Sequence, residues 1–281
     1  MPGRERAAQP MQSYSYGLHD TAGLPSVQVS HVPIMNTLSE SVLTALQLIV
    51  GADPVLLSIV VRSLAVSACA CLLACSAGMV AGSWLAVARF RGRGIVLTLL
   101  NTSLALPSVV VGLVVYLLLS HSGPLGFLGW LFSFKAMVLA QAVLVCPVVT
   151  ALVRQTVEDA ERHHGEQLRS LRARTLVRSL LLVWDERFTL LTIVITGFGR
   201  AISEVGAVMV VGGNIEGYTR VMTTAIALET SKGDLPLALA LGLLLLFVVL
   251  LLNVLASLVR RWRERRDAGL SGLFGHAGAL S

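Results

Sequence analysis

Apolar residues in this chain come in runs longer than one face of a soluble helix requires. Five such runs, at 63–88, 95–119, 136–153, 188–213 and 235–259, have the length of a membrane-crossing helix, for which roughly 20 residues at 1.5 Å each suffice. Polar segments separate them, and the pattern predicts an all-α membrane protein of about five spans. The stretch at 37–50 is apolar on one face and too short to cross, which suits an interfacial helix. Residues 1–34 are polar, lack the apolar core of a cleavable signal, and read as a disordered leader with an over-extended start before Met35. The expected organisation is a leader at 1–34, an interfacial or elbow helix at 35–57, a transmembrane domain at 58–259 holding an inner loop at 154–185, and a tail at 260–281.

The run at 188–213 carries Arg200 and Glu204 at its centre. A charge at mid-membrane costs about 2.5–3.5 kcal/mol on insertion scales, so such residues face a bundle interior or a water path. Their i, i+4 spacing lets them pair. Thr189, Thr192, Thr196, Gly199, Ser203 and Gly206 recur at steps of three and four, which gives one face of small and hydroxyl side chains. That face is either a packing seam or the wall of a wet passage, and both place the helix in the core. In the run at 95–119, Asn101, Ser108 and Gly112 fall near one face and Pro107 bends the helix beside them, as a gate would need. Gly78 and Gly82 have a close-packing spacing, and Gln141 and Pro147 lie inside the third run.

Composition agrees: 55% of the 281 residues are hydrophobic and 14% charged, with a mean hydropathy of +0.77, against about 25% charged in a soluble domain. The net charge of +6 is not a nucleic-acid signal, because the arginines border apolar runs. Arg89 to Arg93, the arginine-rich stretch from Arg154 to Arg178, and Arg260 to Arg266 mark the inner side. The amino end is then outside and the carboxyl end inside. Cys69, Cys71, Cys75 and Cys146 lie within spans and read as small packing residues. His163 and His164 lack the spacing of helical metal ligands. Gly212, Gly213 and Gly217 lack the Lys-Ser/Thr of a phosphate loop.

These features point to transport powered from elsewhere, since no Walker A loop, H-E-x-x-H pair or Ser-His-Asp arrangement can be placed. A secondary carrier or channel is the rival, without the inverted repeats or paired interruptions many carriers show. A membrane enzyme would need clustered ionisable groups, and only Arg200 and Glu204 are intramembrane.

The runs GRAISEVGAVMVVGGNIEGYTRVMTTAIALETSKGDLPLALALGLLLL (199–246), LPSVVVGLVVYLLLSHSGPLGFLG (106–129) and RFRGRG (89–94) resemble the permease subunit of tungstate-type ABC importers, of the type I importer permease class. The resemblance runs from Met35 to Val259. It implies a homodimer, cytoplasmic ATPase subunits beneath it that carry the ATP and Mg, no cofactor on this chain, and an extracytoplasmic oxyanion-binding protein, all in the cytoplasmic membrane. It also implies a Glu-Ala-Ala coupling motif with a following Gly. Counted back from FGRAISE, this falls on EQLRSLRA: Glu166 matches, Gln167 and Leu168 replace the alanines, Arg169 follows, and Arg172 replaces the glycine. A second register on Glu158-Asp159-Ala160, with Gly165 after it, lies too far upstream. Gly212, Gly213 and Asn214 would form the outer mouth. The implied substrate is tungstate, with molybdate or another oxyanion as the alternative.

A path for a tetrahedral dianion needs donors without trapping charges. Asn101, Ser108, Thr192, Thr196 and Ser203 are candidate donors, with Pro107 and Gly112 at the gate. Glu204 largely cancels Arg200, so the pair is expected to act as a latch that sets helix register.

Overall fold

A computed structural model describes residues 42–47, 49–51, 53–170 and 175–277, with side chains described except at 163–170, 175–176 and 263–277. Among these residues the regular elements are all helical. Residues 42–47 and 49–50 are helical, ahead of α1 (Pro54–Val87). Then come α2 (Arg93–Leu104), α3 (Ser108–Leu119), a 3-10 turn (Gly126–Leu128), α4 (Phe134–Ser170), α5 (Thr175–Asp185), α6 (Arg187–Ile202), α7 (Gly206–Gly212), α8 (Met222–Lys232) and α9 (Leu235–Ala277). Three helices are long and apolar enough to cross a membrane unaided: Pro54–Val87, Phe134–Arg162 and Leu235–Trp262. Each of two bent pairs, α2–α3 and α6–α7, adds a further span if counted as one.

Helix α1 starts nine residues before the apolar run at 63–88 because its start signals are strong. Asp53 Oδ1 accepts from the amides of Val55 and Leu56 at 2.8 and 3.1 Å, and Pro54 is preset for the first turn. Helices α1 and α4 form the spine. Gly78 and Gly82 let them touch: an added Cβ would come within 2.8 Å of Val149 Cγ1 at Gly78 and 2.7 Å of the Thr150 carbonyl at Gly82.

The core has two tiers along this spine. Toward the 3-10 turn, Val66 and Ala70 of α1 pack with Val111 and Val115 of α3, Met137 and Ala140 of α4, and Val208 and Val211 of α7. Toward the basic loops, Cys71, Ala74 and Cys75 pack with Val149, Val153 and Val157 of α4, Leu182 of α5, and Leu190 and Ile193 of α6. Helix α9 leans on the beginning of α1 and on α8 through Leu56, Ile59, Met222, Ala225, Ala240 and Leu241.

Three features differ from the pattern of apolar runs. The run at 95–119 is broken into two helices at 103°, a far sharper change of direction than a bend within one helix. Pro107 lacks an amide and pushes the residue before it out of the helical region, and α3 alone is about 18 Å long against a ~30 Å hydrocarbon core. The run at 188–213 likewise breaks at Ser203–Val205, with 58° between its halves, so the small-residue face ends at Ser203 and excludes Gly206. The polar segment after Gly213 holds α8, a helix whose Met222, Thr223, Thr224, Ala225 and Glu229 are buried. As the spacing of the arginine-rich stretch after Arg154 suggests, α4 continues past its apolar run to Ser170, and α9 likewise continues to Ala277.

Candidate translocation path and gate

The two helix breaks touch. Glu204 lies in the α6–α7 break and is 4% exposed. Its Oε2 accepts from Arg200 Nη1 at 2.8 Å and its Oε1 from the Ala207 amide at 3.4 Å, and the Ser108 hydroxyl at the start of α3 stands beside the carboxylate. The break is tied down by its backbone as well. Thr223 Oγ1 of α8 donates to the Glu204 carbonyl at 2.8 Å, and Gln141 Nε2 of α4 donates to the Ala201 carbonyl at 3.0 Å. Gly206 makes room for the junction, since a Cβ there would lie 2.7–2.8 Å from Val109 Cγ2 and Ser108 Oγ. Gly112 does the same one turn on, where a Cβ would stand 2.7 Å from Ala207 Cα. Of the proposed gate residues, then, Ser108 reaches the ion pair and Gly112 is a buried α3–α7 contact. Pro107 forms the exposed amino cap of α3. Asn101 is exposed on α2, across the 103° bend, so it does not share a helix face with Ser108 and Gly112.

The Arg200 side chain is 43% exposed while that of Glu204 is 5% exposed. The ion pair therefore stands at an edge, with its carboxylate inside and its cation at the opening. Below Arg200 the exposed edge of α6 continues through Thr196 and Thr192 to Thr189. These threonines line a cavity of about 640 Å³ between α4, α6 and α9, which also holds Gln155, Thr156, Asp159 and Arg260. Sequence spacing pointed to the threonines. The α4 and α9 contributors carried no signal, because only the packing of three separate helices brings them together. An edge contact between Phe188 and Trp262, with ring centroids 5.2 Å apart, joins the start of α6 to α9.

Three hydroxyls along this edge bond back into their own helix, while Thr189 donates to Glu186 Oε2 at 2.7 Å. Thr192 donates to the Phe188 carbonyl at 3.3 Å, Thr196 to Thr192 at 2.9 Å and Ser203 to Gly199 at 2.9 Å. They present oxygen lone pairs outward, and each must rotate and give up a bond of ~1 kcal/mol to donate to an anion.

At the end expected outside, Gly213 and Asn214 adopt left-handed backbone conformations at φ 68° and 50°. Gly212 is buried against Met137, and Asn214 Nδ2 donates to the Thr224 carbonyl at 3.3 Å. Arg62 of α1 holds this turn by donating to the carbonyls of Gly217 and Arg220 at 2.7 and 3.3 Å. At the other end Glu158 pairs with Arg93 and with Arg154, the latter at 2.7 Å, and Glu161 pairs with Arg178 of α5. Of the coupling residues, Glu166, Gln167, Leu168 and Arg169 lie in the last turns of α4 with side chains outside the described set. Arg172 lies outside the described residues.

No protein-family model matches the chain. Curated relatives do. The chain is 39% identical over 223 residues to the tungstate uptake system permease protein TupB of Peptoclostridium acidaminophilum, covering 78% of this chain and 96% of that one. It is 38% identical over 172 residues to the protein of the same name from Campylobacter jejuni, covering 61% and 72%. It is also 38% identical over 215 residues to a probable anion ABC transporter permease protein of Haloferax volcanii, covering 75% and 91%. With described residues whose regular elements are all helical, apolar spans and a hydroxyl-lined edge ending at a half-exposed ion pair, the chain belongs to the permease family of tungstate-type ABC transporters.

Proposed function

We propose that this transporter subunit carries a tetrahedral oxyanion, tungstate first, across the cytoplasmic membrane by ATP-driven alternating access. It works as a homodimer with the amino end outside and the carboxyl end inside. Cytoplasmic ATPase subunits bind the ATP and Mg, and an extracytoplasmic binding protein delivers the anion. The observation that carries this reading is the edge of α6, which runs from the threonine-lined cavity to Arg200 at the point where both bent pairs break. A rigid packing seam needs no cavity beside it. A passage needs polar walls and a constriction that can move.

The motion proposed is a two-state one. Nucleotide closes the ATPases on the inner segment around Glu166 to Arg172, the inner halves of the jointed helices swing, and the outer mouth around Gly212, Gly213 and Asn214 opens to accept cargo. Two states are needed because packed interfaces switch between arrangements and do not deform continuously. Sorting of anions by size is left to the binding protein, since the wall here offers flexible hydroxyls and no closed cage.

The test is uptake of tungstate into vesicles holding the chain with its ATPase and binding protein. Nucleotide-dependent accumulation is expected, and movement by the chain alone without nucleotide would sink the reading in favour of a channel or secondary carrier. Relatives named for molybdenum and sulfate transport also match. Molybdate is therefore the second reading, and competition between the two anions at the binding protein separates them.

A further inference from the structure

We propose that the donors closed on Glu204 form the transit site for the permeant oxyanion, and that the Glu204 carboxylate is a tethered stand-in occupying that site while the passage is shut. The proposal rests on the oxyanion-permease reading above and adds the residues that touch the cargo. Two donors bond one carboxylate, the Arg200 guanidinium at the end of α6 at 2.8 Å and the Ala207 amide in α7 at 3.4 Å, and the Ser108 hydroxyl at the start of α3 stands beside it. A guanidinium, a hydroxyl and an amide are the donor set a tetrahedral oxyanion takes. A register lock needs only the arginine and the glutamate.

Location supports the assignment. The carboxylate is buried, yet Arg200 is half exposed and the adjacent Ser203 is exposed, so the site opens onto the hydroxyl edge leading from the cavity. Along that edge Thr192, Thr196 and Ser203 turn their protons into their own helix. Arg200, in contrast, directs its guanidinium to a carboxylate that another anion could replace. Competition also suits the task. A tethered carboxylate is present at an effective concentration on the order of millimolar or above, so it lowers the net affinity of any anion that displaces it. A permeant ion must bind well enough to enter and weakly enough to leave, and an opposing side chain achieves that where bare arginine would hold a dianion.

The experiment uses the assembled transporter with Glu204→Ala, titrated with tungstate, molybdate, formate or chloride at matched ionic strength while its melting temperature is followed. The expected result is a saturable rise of several degrees with the oxyanions and formate. Chloride, the wild type and the double variant Glu204→Ala/Arg200→Gln should give none. An equal response to chloride, or none to any anion, overturns the proposal. Should Glu204→Ala fail to assemble, Ser108→Ala decides, because it leaves the Arg200–Glu204 pair intact. Its expected outcome is an unchanged melting temperature, a several-fold lower turnover and an unchanged half-saturating substrate concentration. Unchanged turnover overturns the proposal. Nucleotide-driven uptake by the wild type, measured alongside, separates the two readings: its absence sinks the permease mechanism, and its presence without an anion response sinks this site alone.

Discussion

Gly112 and Gly199 look alike in the sequence, each a small residue on a polar stripe of an apolar run. Packing separates them. A Cβ at Gly112 would stand 2.7 Å from Ala207 Cα, where only backbone could yield, while a Cβ at Gly199 meets nothing within 4 Å. Gly112→Ala should therefore cost about 1–3 kcal/mol by overpacking. Gly199→Ala should cost nothing and gain a fraction, ~0.5 kcal/mol, from helix propensity. Thermal melting of the purified protein checks both. Glu204→Gln keeps the shape and loses the charge, and since Arg200 is half exposed the expected loss is about 1–3 kcal/mol, below the 3–5 of a fully buried pair. A melting temperature equal to wild type would count against the latch. The pairing of Arg200 with Glu204 was legible from their i, i+4 spacing at mid-run. Their contact with Ser108 was not, because it joins residues far apart in the chain.

Among the elements, the Gly78–Gly82 spacing on α1 announced the seam that the structure places against α4. Gly82→Leu should split that seam, since its side chain would meet the Thr150 carbonyl and Val153; loss of the folded protein on size-exclusion chromatography is the expected result. Number and type of helices were largely readable from hydropathy. The breaks were not. Pro107 signalled a bend but not one of 103°, and nothing local at Ser203–Val205 announces an interruption, since that break is held by Thr223 and Gln141 from other helices. Helix α8 carried no apolar run to announce it, and its start is fastened from another helix, where Ser63 Oγ accepts the Met222 amide at 2.6 Å. Helix α5 is fastened through Arg178 and Glu161, whose side chains are 14% and 12% exposed. Arg178→Gln should loosen that helix, and faster amide exchange confined to 175–185 is the expected readout.

For the whole molecule, the proposed orientation makes a direct prediction. Ser122→Cys, beside the 3-10 turn, should react with an impermeant thiol reagent added to intact cells, and Arg91→Cys only after the membrane is opened. The reverse pattern would invert the orientation. A further consequence follows from the way the two jointed pairs break at one shared point while α1 and α4 run through unbroken. Such a body has a waist. Twisting applied beneath the waist is delivered to the upper half through a single knot of hydrogen bonds, so lesions should sort by storey. Those below should leave cargo delivery intact yet idle the motor's output, and those above should spare the motor's response while refusing the cargo.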